Sequence, residues 1–203
     1  MASPTDFNVS PYYDDFTESK NFHRILFRPA FAVQARELTQ SQTLVQNQIE
    51  QMGDHLFKQG AMVLPGQVSI DTNYYAVKLT SKAASTVSTY VVNTTATGSA
   101  AGIQAGVYYI NGFFINVVAS TLVLDKYTNT PSYRIGLSVT ESFISSGNDS
   151  SLNDNAAGSS NANAPGAHRF KILLTLAKKT LSSTEDTNFF EIARVENGVI
   201  KSI

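Results

Sequence analysis

Residues 29–60 read PAFAVQARELTQSQTLVQNQIEQMGDHLFKQG, and the fold turns on the period carried by this stretch. Pro29 suits a first helical position, where its missing N–H is not needed, and helix formers then dominate with no further proline before Gly60. The stretch predicts a helix over residues 29–59. Its most regular stripe is Phe31, Ala35, Leu38, Gln42, Val45, Ile49, Met52 and Leu56, alternately four and three residues apart, which is the heptad spacing of a coiled-coil seam. One seam position, Gln42, is polar; such a residue costs stability and fixes register. Glutamines at 34, 40, 46, 48 and 51 leave the flanks uncharged, so partner choice does not rest on flanking salt bridges. Periodicity alone serves two readings equally, an oligomerising seam and an amphipathic helix packed on its own domain. Gly53 inside the pattern costs about 1 kcal/mol against alanine and weakens the expectation of regular last turns.

After Gly60 the period changes to two. Met62-Val63-Leu64, Val68-Ser69-Ile70, Tyr74 to Leu79, Val87 to Val92, Val107 to Ile110, Phe113 to Val118, Leu122 to Leu124, Phe170 to Leu176 and Phe189 to Val195 read as strands. Asn111-Gly112 tolerates the positive φ of a type I′ turn and predicts a hairpin over residues 107–118; Asn197-Gly198 supplies a last turn. Thr94 to Gly106, with many small residues, reads as a loop or an edge in need of a partner. Ser145 to Arg169 is a long polar loop of a length that is usually functional or mobile. The expected class is therefore α+β: a docking arm at 1–28, a long coiled-coil-like helix at 29–59, and a mainly antiparallel β domain at 60–203, a sandwich or small barrel with a polar loop at 145–169. The final Val199 to Ile203 alternates as though inside a strand, which suggests a longer parent chain.

The arm carries Tyr12, Tyr13, Phe16, Phe22, Phe27 and Arg28 without a clean period. A disordered tail gains nothing from such aromatics, so they are expected either to dock on another chain or to cap the protein's own core.

The 203 residues suffice for one ordinary domain or two small units. With 15 Lys and Arg against 16 Asp and Glu, no global basic field exists to hold nucleic acid or an anionic membrane. The absence of cysteine excludes disulfides, thiolate nucleophiles and cysteine-ligated metals. No apolar run approaches the ~18 residues of a membrane span and the start lacks a secretory signal, so no membrane insertion is expected and the chain reads as made in a cytoplasm. Only 15% of residues are charged, leaving a surface covered by uncharged polar groups, as is common in extracellular and virion fibres.

Catalytic patterns are missing. His23, His55 and His168 lack metal-pair spacing, no Gly-x-Ser-x-Gly elbow occurs, and no glycine-rich phosphate cradle is present. Asp14 with Asp15, Glu141, and Asp149 with Asp154 are carboxylates of the kind a glycosidase uses, but adjacent carboxylates more often cap or repel. Asp149, Asn153, Asp154 and Asn155 lack the spacing of a calcium loop and suit turns better. No enzyme activity, metal or cofactor is expected.

Several blocks in order resemble a family of tailed-bacteriophage virion structural proteins, tail-fibre or baseplate components largely described as domains of unknown function. They are Tyr12 to Phe16, Asn21 to Pro29, Gln34 to Gln40, Gln46 to Ile49, Gly53 to Gly60, Thr130 to Leu137, Ser151 to Ala156 and Ala164 to Phe170. His168 stands where the family pattern leads one to expect a carboxylate. The resemblance implies a protein that anchors a fibre to the tail, assembled in the host cytoplasm and located in the virion. It implies a homotrimer joined through the helical seam, with other tail or baseplate proteins and distal fibre proteins as partners. It carries no catalytic residues. The loop at 145–169 is then an arm over neighbouring subunits or a loop folded on its own sheet. A receptor- or glycan-binding tail protein is the alternative, motivated by Tyr74, Tyr75, Tyr108 and Tyr109, whose faces can stack on sugars.

Overall fold

The computed structural model describes residues 3–75, 78–82, 89–93 and 97–202. Among the described residues the structure is mostly antiparallel β with one α-helix, and the chain divides into two compact units, residues 1–64 with 107–115 and residues 65–106 with 116–203.

The first unit is built on helix α1, Ala35–Leu56. It begins six residues later than the sequence predicts. Ala30 has a φ of +66°, outside the right-handed helical region, so the turn at Arg28–Phe31 does not propagate. The start is fixed instead by Gln34 and Glu37, where the Glu37 carboxylate accepts from the Gln34 N–H at 2.9 Å and the Glu37 N–H donates to the Gln34 carbonyl at 3.0 Å. Phe31 therefore lies in the extended segment ahead of the helix, with the Arg28 guanidinium 4.4 Å from its ring centre.

Strand β1, Ala61–Leu64, pairs antiparallel with β6, Gly106–Ile110, whose hairpin partner is β7, Phe113–Val117. Asn111 and Gly112 turn the hairpin with φ values of +52° and +83°, as a type I′ turn requires. Two glutamines clasp this turn: Gln46 donates to the Gly112 carbonyl and the Asn111 N–H donates to Gln59, both at 2.7 Å. Below the turn, the Tyr109 ring lies against the bare backbone of Gly53, where an added Cβ would stand 2.4 Å from the ring. The Tyr109 hydroxyl donates toward the Glu50 carbonyl at 3.0 Å and the Asp54 carboxylate at 2.9 Å, and Phe57 and Phe114 close the ring cluster. Burial, then the bonded Asp54, pushes the Tyr109 hydroxyl pKa well above its ordinary value.

In the second unit, β2 (Val68–Tyr75), β5 (Thr97–Ile103) and β8 (Ser120–Asp125) form one antiparallel sheet with β5 in the centre. Central β5 corrects the loop or edge expected between Thr94 and Gly106. Its residues are small because neighbouring backbone lies close, a Cβ on Gly98 meeting the Asp125 carbonyl at 2.5 Å. Residues 94–96 lie outside the described residues, as do 83–88 and 76–77 of the expected strands; β3 (Lys78–Lys82) and β4 (Thr89–Asn93) pair as a hairpin.

A four-stranded sheet orders β10 (Arg169–Thr180), β9 (Tyr133–Ile144), β11 (Phe189–Glu196) and β12 (Val199–Ser202). β9 and β10 pair in unbroken register from Ile144↔Arg169 to Tyr133↔Thr180. Asn197 and Gly198, at φ +50° and +78°, make the second such turn. Arg134, buried in β9, donates to Glu191 at 2.5 Å, to the Ser183 carbonyl at 2.6 Å and to Asp186, tying the 181–188 connection to the sheet.

Tyr109 and Gly53 give a direct test. Gly53→Ala gains about 1 kcal/mol of helix propensity and loses about 1–3 kcal/mol to overpacking, so a net loss is expected in urea unfolding. Tyr109→Phe, which keeps the ring and drops the hydroxyl, is expected to lose about 1–2 kcal/mol. For the Arg134 network the sign follows from the carboxylates. Arg134 holds Asp186 below the ordinary carboxylate range, and Arg194 followed by Arg134 does the same for Glu191. Their contribution is complete above about pH 4.5 and is lost as pH falls through the lowered folded values. Urea midpoints across the acid range are expected to fall steeply for the wild type, while Arg134→Met starts lower at neutral pH and has a flatter acid limb.

Candidate functional site

Three parts of the first unit carry the residues singled out from sequence: the N-terminal arm, the extended segment 21–34 that follows it, and the outer face of α1. The arm is fastened by its carboxylates. Asp14 is buried, accepts from the Thr43 hydroxyl, and accepts from the Phe16 N–H at 3.3 Å. Asp15 accepts from Arg36 at 3.2 Å and from Gln40 at 3.1 Å, and Glu18 accepts from Gln51. The paired aspartates thus bind the helix, a structural duty their adjacency alone did not specify. Glutamines that read as uncharged flanks act as donors: Gln40 and Gln51 to the arm, Gln46 to the hairpin.

With its polar side engaged in this way, α1 turns its apolar stripe outward. Leu38, Val45, Ile49, Met52 and Leu56 are each between 40% and 66% exposed, and Ala35 and Gln42 are exposed with them. The inward side buries Leu44 and Gly53 instead. An ordinary amphipathic helix does the reverse. Of the arm residues, Tyr12 and Phe16 are half-buried, whereas Tyr13, Phe22, Phe27 and Arg28 are exposed. The arm therefore spends part of its aromatic surface on its own domain and leaves the rest outside. Exposed Leu26 and Val33 extend the apolar surface, and the sequence reading did not single them out. Their signal was composition: residues 21–34 contain Phe22, Ile25, Leu26, Phe27, Phe31 and Val33 and no acidic residue.

Among the described residues no three His, Asp or Glu side chains gather as metal ligands, and no helix is long and apolar enough to cross a membrane. His23, His55 and His168 all lie exposed. In the long polar loop, Asp149 accepts from the Ser151 N–H at 3.0 Å and Asp154 from the Ala156 N–H at 2.8 Å, while backbone bonds pair Asp154 with Ala164 and with Asn163, both at 2.9 Å. These carboxylates make turns. Tyr108 and Tyr109, offered as sugar-stacking faces, are buried, and Tyr74 is half-buried; the side chain of Tyr75 lies outside the described residues.

Asp14→Ala removes the acceptor shared by Thr43 and Phe16, a loss of about 1–3 kcal/mol for a buried bonded carboxylate. Amide exchange over residues 12–18 is expected to rise at least about ten-fold while the β9–β10 amides stay protected.

A family model described as a domain of unknown function (DUF4815) matches residues 10–202. No curated protein and no solved structure matches the chain.

Proposed function

The chain belongs to the DUF4815 family, and we propose that this member is a structural protein of a tailed-phage virion, a tail-fibre or baseplate component that anchors a fibre through a homotrimer joined along α1. One observation carries the reading: α1 uses its polar side within its own unit and presents its heptad stripe to the outside. Contiguous apolar surface beyond a few hundred Å² marks an interaction site, and leaving five large side chains of one stripe in water is costly unless a partner covers them. Heptad spacing over the whole helix suits identical helices packing knobs into holes, and exposed Gln42 within the stripe suits a register-setting layer. Sequence blocks resembling virion proteins support the location in the phage tail. The exposed aromatics Tyr13 and Phe27 suit docking on other tail or baseplate proteins. No catalysis is assigned, since the acidic residues described above serve arm, turns and sheet.

The test is solution mass by light scattering, for the wild type and for Leu38→Asp with Ile49→Asp. Both residues are exposed in the single chain, so the variant is expected to keep its circular dichroism. A wild-type mass of three times 22.0 kDa that drops to 22.0 kDa in the variant is the expected result. A wild type that stays monomeric up to about 100 μM, or a trimer untouched by the two aspartates, overturns the reading; six carboxylates buried in a three-helix seam at several kcal/mol each outweigh the roughly 8 kcal/mol of a micromolar association.

A further inference from the structure

The side of α1 turned away from the stripe is only partly closed over by its own unit. Two grooves lie there between the helix and residues 15–25, of about 240 and 180 Å³. Phe16, Phe22 and Leu44 line both, so the grooves meet across these three side chains. Successive helix residues turn by about 100°, which puts Arg36, Gln40, Leu44, Asn47 and Gln51 of the grooves across the axis from Leu38, Val45, Ile49 and Met52. A helix packed on the stripe therefore faces away from both grooves.

The larger groove has an apolar floor and a cationic rim. Phe16 and Ile25 are half-buried, Leu44 is buried, and Phe22 keeps 65% of its surface exposed beside them. The carboxylates of this groove are already engaged: Asp15 accepts from Arg36 and Gln40, and Glu37 accepts from the Gln34 N–H. Lys20 and Arg24, exposed on the same lining, have no carboxylate at ion-pair distance among the described residues. No acidic residue stands between Glu18 and Glu37 in the chain, so no sequence neighbour on that side neutralises them. The smaller groove is lined by amides. Its Glu18 accepts from Gln51, while the side-chain amides of Asn21, Asn47 and Gln48 bond no group among the described residues, although Asn47 is half-buried. A side-chain amide offers both a donor and an acceptor, the complement of a peptide unit.

We infer that the paired grooves bind an extended segment of another protein, its aromatic or aliphatic side chain set on Phe22 and Leu44, its Asp or Glu carboxylates held by Lys20 and Arg24, and its backbone met by Asn47 and Gln48. Charge and shape together select this occupant. Nucleic acid and anionic lipid are held by broad basic fields, whereas this chain sets 15 basic against 16 acidic residues and leaves two cations unpaired at one recess. A free inorganic anion makes no use of the apolar floor or of the amides. A segment of mixed acidic and apolar residues uses all three features, and charge-assisted bonds from Lys and Arg fix where its carboxylates lie. The site goes beyond the trimer seam and does not depend on it, because the two occupy opposite sides of α1.

The test selects binders of the full chain from a random heptapeptide library displayed on ribosomes, with the variant Lys20→Glu, Arg24→Glu run in parallel. Both residues are exposed, so the variant is expected to keep its circular dichroism. Selection on the wild type is expected to enrich peptides in which Asp or Glu flank an aromatic or aliphatic residue. Their Kd is expected to weaken at least about ten-fold in the charge-reversed variant and about ten-fold in Phe22→Ser, and to stay unchanged in Leu38→Asp with Ile49→Asp. The same peptides with Lys in place of the acids are expected to prefer the charge-reversed variant. No enrichment of acidic peptides, or equal binding to wild type and charge-reversed variant, overturns the site. Retention on vesicles of equal phosphatidylglycerol and phosphatidylcholine, or on a short DNA duplex, that is lost in the same variant also overturns it, in favour of a lipid or nucleic-acid surface. A monomeric wild type that binds the acidic peptides removes the seam and keeps the groove, and a trimer that ignores them does the reverse.

Discussion

The first unit depends on which way α1 faces, and a contact without any side chain sets that. Gly53 admits the Tyr109 ring to the helix backbone, and the Tyr109 hydroxyl then bonds the Glu50 carbonyl, about one turn before Gly53, and the carboxylate of the adjacent Asp54. The helix is thereby pinned with Leu44 and Gly53 buried and with Gln40, Thr43 and Gln46 turned to its own unit. Gln46 and Gln59 hold the turn of the hairpin, and Gln40, Thr43 and Gln51 hold the arm carboxylates. The net contribution of each such bond is only about 1 kcal/mol, but the geometry they select decides where the apolar surface goes.

In the second unit the corresponding constraint is the twelve-residue pairing of β9 with β10. It places Ile135, Leu137 and Val139 on one buried face with Leu174 and Leu176. Arg134 on the opposite face then recruits Asp186 and Glu191, so a connection that contributes little apolar surface is fixed by charge instead. Buried arginine is well suited to this, because its fork of donors serves three acceptors at once and never deprotonates.

How far the sequence could be read follows from which signals are local. The heptad stripe and both Asn-Gly turns are patterns within a few residues, and the structure carries helix and hairpins at those places. Periodicity reveals that a stripe exists and is silent about where it points; that depended on Gly53 meeting Tyr109, 56 positions away in the chain. β9 was missed although Ile135, Leu137 and Val139 alternate, because Gly136 and Arg134 between them weaken the strand pattern. Gly136 is there for the Phe190 carbonyl, which an added Cβ would approach to 2.2 Å. β5 suggests a loop or an unpaired edge for the same reason, its small residues answering to a neighbouring backbone that no local window contains. Among the site residues, the outward stripe was quoted in full, whereas Leu26 and Val33 were passed over because an extended ribbon has no period to betray it.

The loop between β9 and β10 has a property that follows from how it is closed. Its ends are set by the Ile144↔Arg169 pair, and its interior is folded by its own Asp149, Asp154 and Ala164 bonds. The closure is thus largely local, and lengthening a flexible closure costs only about 0.6 kcal/mol per doubling. Such an excursion makes a natural insertion point on a rigid base, where added length is expected to be tolerated because it falls outside the paired register of the two strands.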